Sequence, residues 1–175
     1  MALTKSTTID MALRQAMDAG LTLTEENIES NIQSALNDLP DFVASLPRAA
    51  RLEKDYTITF ASGVASLTAK TDLKTDYIKR VIHSDGTIIS LLPRNSTPTD
   101  LTYERNQMFY WGILWNDSIR AKLGDGSNDV PDGDGTLTGL FQPTDVSLVP
   151  SELIGDFITL LVMKSREGAA APAAA

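Results

Sequence analysis

The chain contains no cysteine and one histidine in 175 residues. Without cysteine there are no disulfides, no zinc–thiolate sites and no thiol nucleophile. With His83 alone, a two-histidine metal face is impossible. A Ser-His-Asp system would have to use His83, yet the sequence has no GxSxG elbow. Its position at a strand end beside a turn predicts a plain polar role. Phosphate-cradling motifs of the GxxxxGK[ST] or GxGxxG kind are also missing. No apolar run approaches the ~20 residues needed to cross a bilayer. The opening MALTKSTTID lacks the apolar core of a signal peptide, so the expectation is a protein made and kept in a cytoplasm, with no membrane partner.

What is present is ordinary in amount and uneven in placement. Hydrophobic residues at 42% and charged residues at 22% fit a globular chain, and this length suits one domain with a real core. Residues 1–50 carry three cations and seven anions, residues 51–123 carry ten and eight, and residues 124–175 carry two and eight. Only the middle offers a basic surface, which disfavours tight phosphate binding by a broad positive patch.

The first fifty residues read as helical. Thr8 is the expected cap of a helix with Ile9, Leu13, Ala16 and Met17 on one face, ending at Gly20. Thr24 caps a second, with the single stripe Ile28, Ile32, Ala35, Leu36 and Leu39, stopped by Pro40. From Tyr56 the period becomes two. YTITF and VASLTA flank ASG, DYIKRVIH and TIISLLP flank Ser84-Asp85-Gly86, and MFYWGILW and SIRAKL flank Asn116-Asp117; each reads as a hairpin. TLTGLFQP reads as a last strand, and Ser151 caps a closing helix with Leu153, Ile154, Phe157, Leu160, Leu161 and Met163 apolar. The predicted fold is α+β: an antiparallel β-sheet or sandwich built from hairpins, with two N-terminal helices and one C-terminal helix packed beside it. The expected divisions of this single domain are a helical segment 1–50, a β-rich part with its closing helix 51–166, and a flexible Ala/Pro tail 167–175.

The stretch GDGSNDVPDGDG, residues 124–135, holds Asp125, Asp129, Asp132 and Asp134 with no cation. As an EF-hand starting at Asp125 it puts Val130 where a glycine is needed and Thr136 where a bidentate glutamate is needed. Starting at Asp132 it puts Leu137 and Pro143 there. A casual loop ion is one alternative; the preferred reading is a flexible acidic insertion between two strands. Nothing singles out a pair of carboxylates for acid–base work, and Glu25, Glu26 and Glu29 are explained by a helix terminus and a solvated face. Lys70, Lys74, Lys79 and Arg80 read as an exposed strand and loop, with phosphate contact as the alternative. No catalytic residue, cofactor or metal ligand is therefore expected.

MFYWGILW is apolar on both strand faces: Phe109, Trp111, Ile113 and Trp115 on one, Met108, Tyr110, Gly112 and Leu114 on the other. One reading is a central strand buried between two layers. The other is that Phe109, Trp111 and Trp115 meet another subunit, because Trp and other aromatics are enriched at interfaces.

Over residues 25–166 the order of elements resembles the head–tail adaptor (connector or neck) proteins of tailed double-stranded DNA bacteriophages. The resemblance rests on TDLKTDYIKRVIHSDGTIISLLP as the entry into the sheet, NQMFYWGILWNDSIRAKL as the aromatic strand, short turn and following strand, and TLTGLFQPTDVSLVPSELIGDFITLLVMK as the proline-ended strand, loop and terminal helix. The resemblance departs at the 124–135 stretch, longer than the usual connection, and at the N-terminal helical pair. It implies a non-enzymatic virion protein made in the host cytoplasm and located at the neck. It implies a homo-oligomeric ring, typically of twelve copies, beneath the portal protein. That ring extends the DNA channel, passes double-stranded DNA without reading its sequence, and docks tail or stopper proteins. Within such a ring, the acidic loop would either face the lumen and keep the duplex from sticking or face outward, and the tail 168–175 would either thread into a neighbouring ring or be a frayed end. Alternatives are another phage structural component (tail terminator, tail-associated or head decoration protein), a small carboxylate-dependent hydrolase, or a calcium-binding module.

Overall fold

The computed structural model describes residues 2–93, 95–96, 109–124 and 128–170. The fold is mixed α+β, and the chain divides into two compact units, residues 1–53 with 141–175 and residues 54–140. The closing helix thus belongs to the same unit as the N-terminal helices, not to the strand-bearing part with which the sequence grouped it.

In the first unit, α1 (Lys5–Asp18) starts one turn earlier than expected. Thr4 is the cap: its hydroxyl accepts from the Thr7 N–H, and the Thr7 side chain answers the Thr4 N–H in a reciprocal box. Thr8 is buried inside the helix, where its hydroxyl donates to the Thr4 carbonyl at 2.7 Å. The buried stripe is Thr8, Ala12 and Ala16, while Met17 is 74% exposed. Small side chains, not the larger Leu13 and Met17, let this helix approach its neighbours closely.

Thr24 caps the next helix as expected, but the helix is broken in two: α2 (Glu25–Glu29) and α3 (Ile32–Val43). The break has a local cause. The Ser30 hydroxyl and the Asn31 amide both donate to the Asn27 carbonyl, at 3.1 and 2.7 Å, drawing it away from the helical ladder. Pro40 does not stop α3, which runs on to Val43. A proline in a helix interior costs about 3 kcal/mol. Continuing the helix buries Leu39, Pro40 and Val43 completely or nearly so, and each large aliphatic so buried contributes about 1.5–3 kcal/mol.

A 3-10 turn, Pro47–Leu52, follows, and α4 (Ile154–Ala170) closes the unit after two further such turns, Val146–Leu148 and Ser151–Leu153. α4 packs on α1, α2 and α3 together. Its buried arc is correspondingly wide: Phe157, Ile158, Leu160, Leu161 and Val162. Arg48 grips Asp156 with two bonds of 2.6 and 2.7 Å, and Lys164 meets Asp38 at 2.5 Å. Helix α4 also takes in residues 167–170, expected to be tail; residues 171–175 lie outside the described residues.

Among the described residues, the second unit holds seven strands in two sheets. The first sheet has the order β1 (Glu53–Phe60), β7 (Gly133–Phe141), β3 (Leu73–His83). The second has the order β2 (Val64–Ser66), β6 (Ser118–Leu123), β5 (Tyr110–Trp115), β4 (Ile89–Leu91). Thr59 bonds Asp134 while Thr138 bonds Asp55, so β1 and β7 run antiparallel. The turns expected to close hairpins are present, yet two of them act as corners. The β1–β2 turn closes only the Ala61–Val64 bridge, and the β3–β4 turn only Ile82–Ile88, before the chain passes to the other sheet. The β5–β6 hairpin is complete from Tyr110–Leu123 to Trp115–Ser118. Its two-residue turn, Asn116 and Asp117, has positive φ at both positions, the geometry that matches strand twist. One pair departs from the antiparallel expectation: β4 and β5 are parallel, Ile89 opposite Tyr110.

Candidate functional site

Strand β5 is interior to its sheet, with β4 on one side and β6 on the other. The registers decide which side chains share a face. Gly112 lies opposite Leu91 and Ala121, and Leu114 opposite Ile119, which in turn meets Ala65 of β2. Ile89, Gly112, Ala121, Ile119 and Ala65 are all buried, so this is the core face. The packing is close enough to demand glycine: a Cβ at 112 would stand 3.0 Å from Ile89 Cγ2 and 3.2 Å from the Arg120 carbonyl oxygen.

The opposite face carries the aromatics singled out by the sequence. Trp111 lies opposite Lys122, Ile113 opposite Arg120, and Arg120 opposite Val64. One step before the registered pair Ile89–Tyr110, Ile88 and Phe109 fall side by side, 60% and 53% exposed. Ile113 is buried, and Trp111 and Trp115 are half-buried. The expectation of a strand buried on both sides therefore holds for one side, while Phe109 at its start is open. Met108 lies outside the described residues.

Arg120 and Lys122 were missed in the sequence. Neither cation forms an ion pair with a described residue, and Arg120 Nε is buried without a hydrogen-bond partner. With Ser62, Gly63, Val64 and Asp129 they line a cleft of about 290 Å³. The signal was available: SIRAKL alternates, so pairing it with the aromatic strand through the Asn116-Asp117 turn places both cations beside Trp111 and Ile113.

The acidic stretch is more ordered than a flexible insertion. Asp125 lies outside the described residues. The backbone of Asp129 makes an isolated β-bridge to Lys122, and residues 133–135 already belong to β7. Asp132 accepts from the Ser62 N–H at 2.9 Å, and Asp134 accepts from the Thr59 hydroxyl at 2.7 Å. Asp129 sits against Gly63, where a Cβ would approach its carboxylate to 2.8 Å. Asp132 and Asp134 thus hold the β1–β2 corner through their carboxylates, while all three aspartates remain exposed. Among the described residues, no three His, Asp or Glu side chains are placed to share a metal ion.

His83 is buried and serves as a pin between the β3–β4 corner and the entry to β7. Its Nε2–H donates to the Pro131 carbonyl at 2.7 Å, and its Nδ1 lies 3.3 Å from the Asp85 N–H and 3.4 Å from the Asp85 carboxylate. Its ring lies between Phe60 and Tyr110. Burial works against the neighbouring Asp85 carboxylate, but hydrogen bonds from the Tyr110 hydroxyl at 2.6 Å and the Thr87 N–H outweigh it and draw Asp85 down to about 2. The same bond to Asp85 pushes Tyr110 up. The remaining sequence candidates are dispersed: Lys70, Lys74, Lys79 and Arg80 lie on or beside the sheet-edge strand β3, Glu25 and Glu26 in the first turn of α2, and Glu29 pairs with Lys5.

No protein-family model matches this chain, and no curated protein matches it either. No helix among the described residues is long and apolar enough to cross a membrane.

Proposed function

We propose that this chain is a structural head–tail adaptor of a tailed double-stranded DNA phage, working through shape and surface in the virion neck. Copies of the chain form a ring beneath the portal protein, extend the DNA channel and present a docking surface to tail or stopper proteins. The observation that carries this reading is the open face of the four-stranded sheet. There the exposed Ile88 and Phe109 lie on strands adjacent to Arg120 and Lys122, which form no ion pair with a described residue. Large exposed apolar groups beside an arginine on a sheet face match the composition of an interface with another macromolecule.

The order of elements supports it as well. An aromatic strand, a two-residue turn and a following strand, then a proline-ended strand and a closing helix, succeed one another as in the adaptor resemblance. The exposed carboxylates of Asp129, Asp132 and Asp134 suit a surface past which a duplex slides, because cation–phosphate contacts are what retain DNA. The test is electron microscopy of the purified protein mixed with portal rings. Added density forming a ring under the portal supports the adaptor; a solitary chain that ignores the portal and turns over a substrate overturns it.

A further inference from the structure

The cleft of about 290 Å³ beside β6 holds polar groups that folding has not used. Its backbone donors are spent. The Ala121 N–H donates to the Gly63 carbonyl at 2.8 Å, the Val64 N–H to the Ala61 carbonyl at 3.1 Å, and the Ser62 N–H to Asp132 at 2.9 Å. Three charged side chains remain. Arg120 and Lys122, two residues apart on β6, share one side of that strand and form no ion pair with a described residue. Arg120 Nε is buried and has no hydrogen-bond partner, where a buried donor is normally paired. Asp129 lies against the Ser62–Gly63 turn, so close that a Cβ on Gly63 would stand 2.8 Å from its carboxylate. Only a glycine, with its positive φ of 75° and no side chain, leaves the carboxylate that place.

We infer that this cleft binds a carboxylate with a hydrogen-bond donor beside it, the carboxylate held by Arg120 and Lys122 and the donor by Asp129. A guanidinium and a nearby ammonium suit one carboxylate, and the buried Nε gains the acceptor it lacks within the chain. Asp129 sets the selectivity. A phosphate dianion brings its second charge against that carboxylate, whereas an ammonium, amide N–H or hydroxyl beside a single carboxylate finds an acceptor there. Volume sets the size. Drug-sized ligands fill ~300–1,000 Å³, so this space takes a group of amino-acid size and excludes a dinucleotide cofactor. The same chemistry has two sources. One is a free amino acid; the other is an aspartate within a polypeptide, whose side-chain carboxylate lies beside its own backbone N–H. The inference is independent of the adaptor reading, since no ring, portal or DNA enters it.

The Arg120 Nε–H proton reports the contact directly, because it has no partner within the chain. The full chain, labelled with nitrogen-15, is titrated with glycine, N-acetyl-aspartate N-methylamide, acetate and inorganic phosphate. Glycine or the aspartyl amide is expected to shift that signal saturably at about 1 mM or tighter, and about tenfold more tightly than acetate, which has no donor. The better of the two names the source. Arg120→Gln and Lys122→Gln, followed at the Gly63 and Ala121 amides, should each weaken binding about tenfold. Asp129→Asn should weaken the preferred ligand about fivefold and strengthen phosphate about as much. Backbone amide spectra show that each variant keeps its fold. No saturable shift of the wild-type Nε–H with any probe overturns the inference. Phosphate binding most tightly to wild type overturns it too, as does an unchanged preference in Asp129→Asn.

Discussion

The two faces of the four-stranded sheet are made by the same strands and differ in what folding has used. On one, Ile89, Gly112, Ile119, Ala121 and Ala65 are buried at contact distance. On the other, Ile113 and Arg120 Nε are buried at the centre, while Ile88 and Phe109 at one end stay exposed and neither Arg120 nor Lys122 forms an ion pair with a described residue. Consumed surface speaks for stability and unconsumed surface for binding, so substitutions on the two faces should separate these properties.

The largest effect on stability belongs to the core face. Ile119→Ala removes a fully buried side chain between β2 and β5 and is expected to cost about 2–5 kcal/mol, read by urea unfolding. Gly112→Ala forces a methyl against Ile89 and the Arg120 carbonyl, and about 1–3 kcal/mol is expected in the same measurement. A loss near zero at either position would mean the core face is less tightly packed than these distances require.

A smaller effect comes from the rim, where Tyr110 holds Asp85. Asp85 is drawn from its ordinary 3.8 to about 2, so its ionised form stabilises the fold above the ordinary value, and that contribution fades as pH falls through about 2. Tyr110→Phe removes the hydroxyl donor, and the acid-side fall in melting temperature between about pH 5 and about pH 2 should become shallower. An unchanged pH profile would place the carboxylate's stabilisation in the Thr87 contact alone. The smallest effect on the stability of the single chain belongs to this face: at dilutions where both are monomeric, Phe109→Ala should leave unfolding within about 0.5 kcal/mol of wild type.

Much of this contrast was legible in the sequence. Period-two alternation found the strands, and Asn116-Asp117 and Ser84-Asp85-Gly86 found their turns, because positive φ needs particular residues. What alternation does not encode is the partner across the ladder. The β1–β2 and β3–β4 turns therefore looked like hairpins although their strands part into different sheets, and the parallel β4–β5 pair carries no local sign. The helices show the same limit. Thr8 and Thr4 are equally good caps by residue type, and the three-dimensional burial of Thr8, Ala12 and Ala16 chooses between them. Pro40 breaks a helix by local rule, but burial of Leu39 and Val43 carries α3 through it. For the candidate site, Phe109, Trp111 and Trp115 stood out as aromatics, whereas Arg120 and Lys122 gain significance only from the register that sets them beside Trp111 and Ile113.

Sedimentation velocity of wild type and Phe109→Ala over a wide concentration range tests most directly whether the open face joins copies of the chain. The account predicts a large assembled species for wild type that shifts toward monomer in the variant, while at dilutions where both are monomeric the two unfold alike. Identical sedimentation of the two proteins, assembled or not, would contradict it.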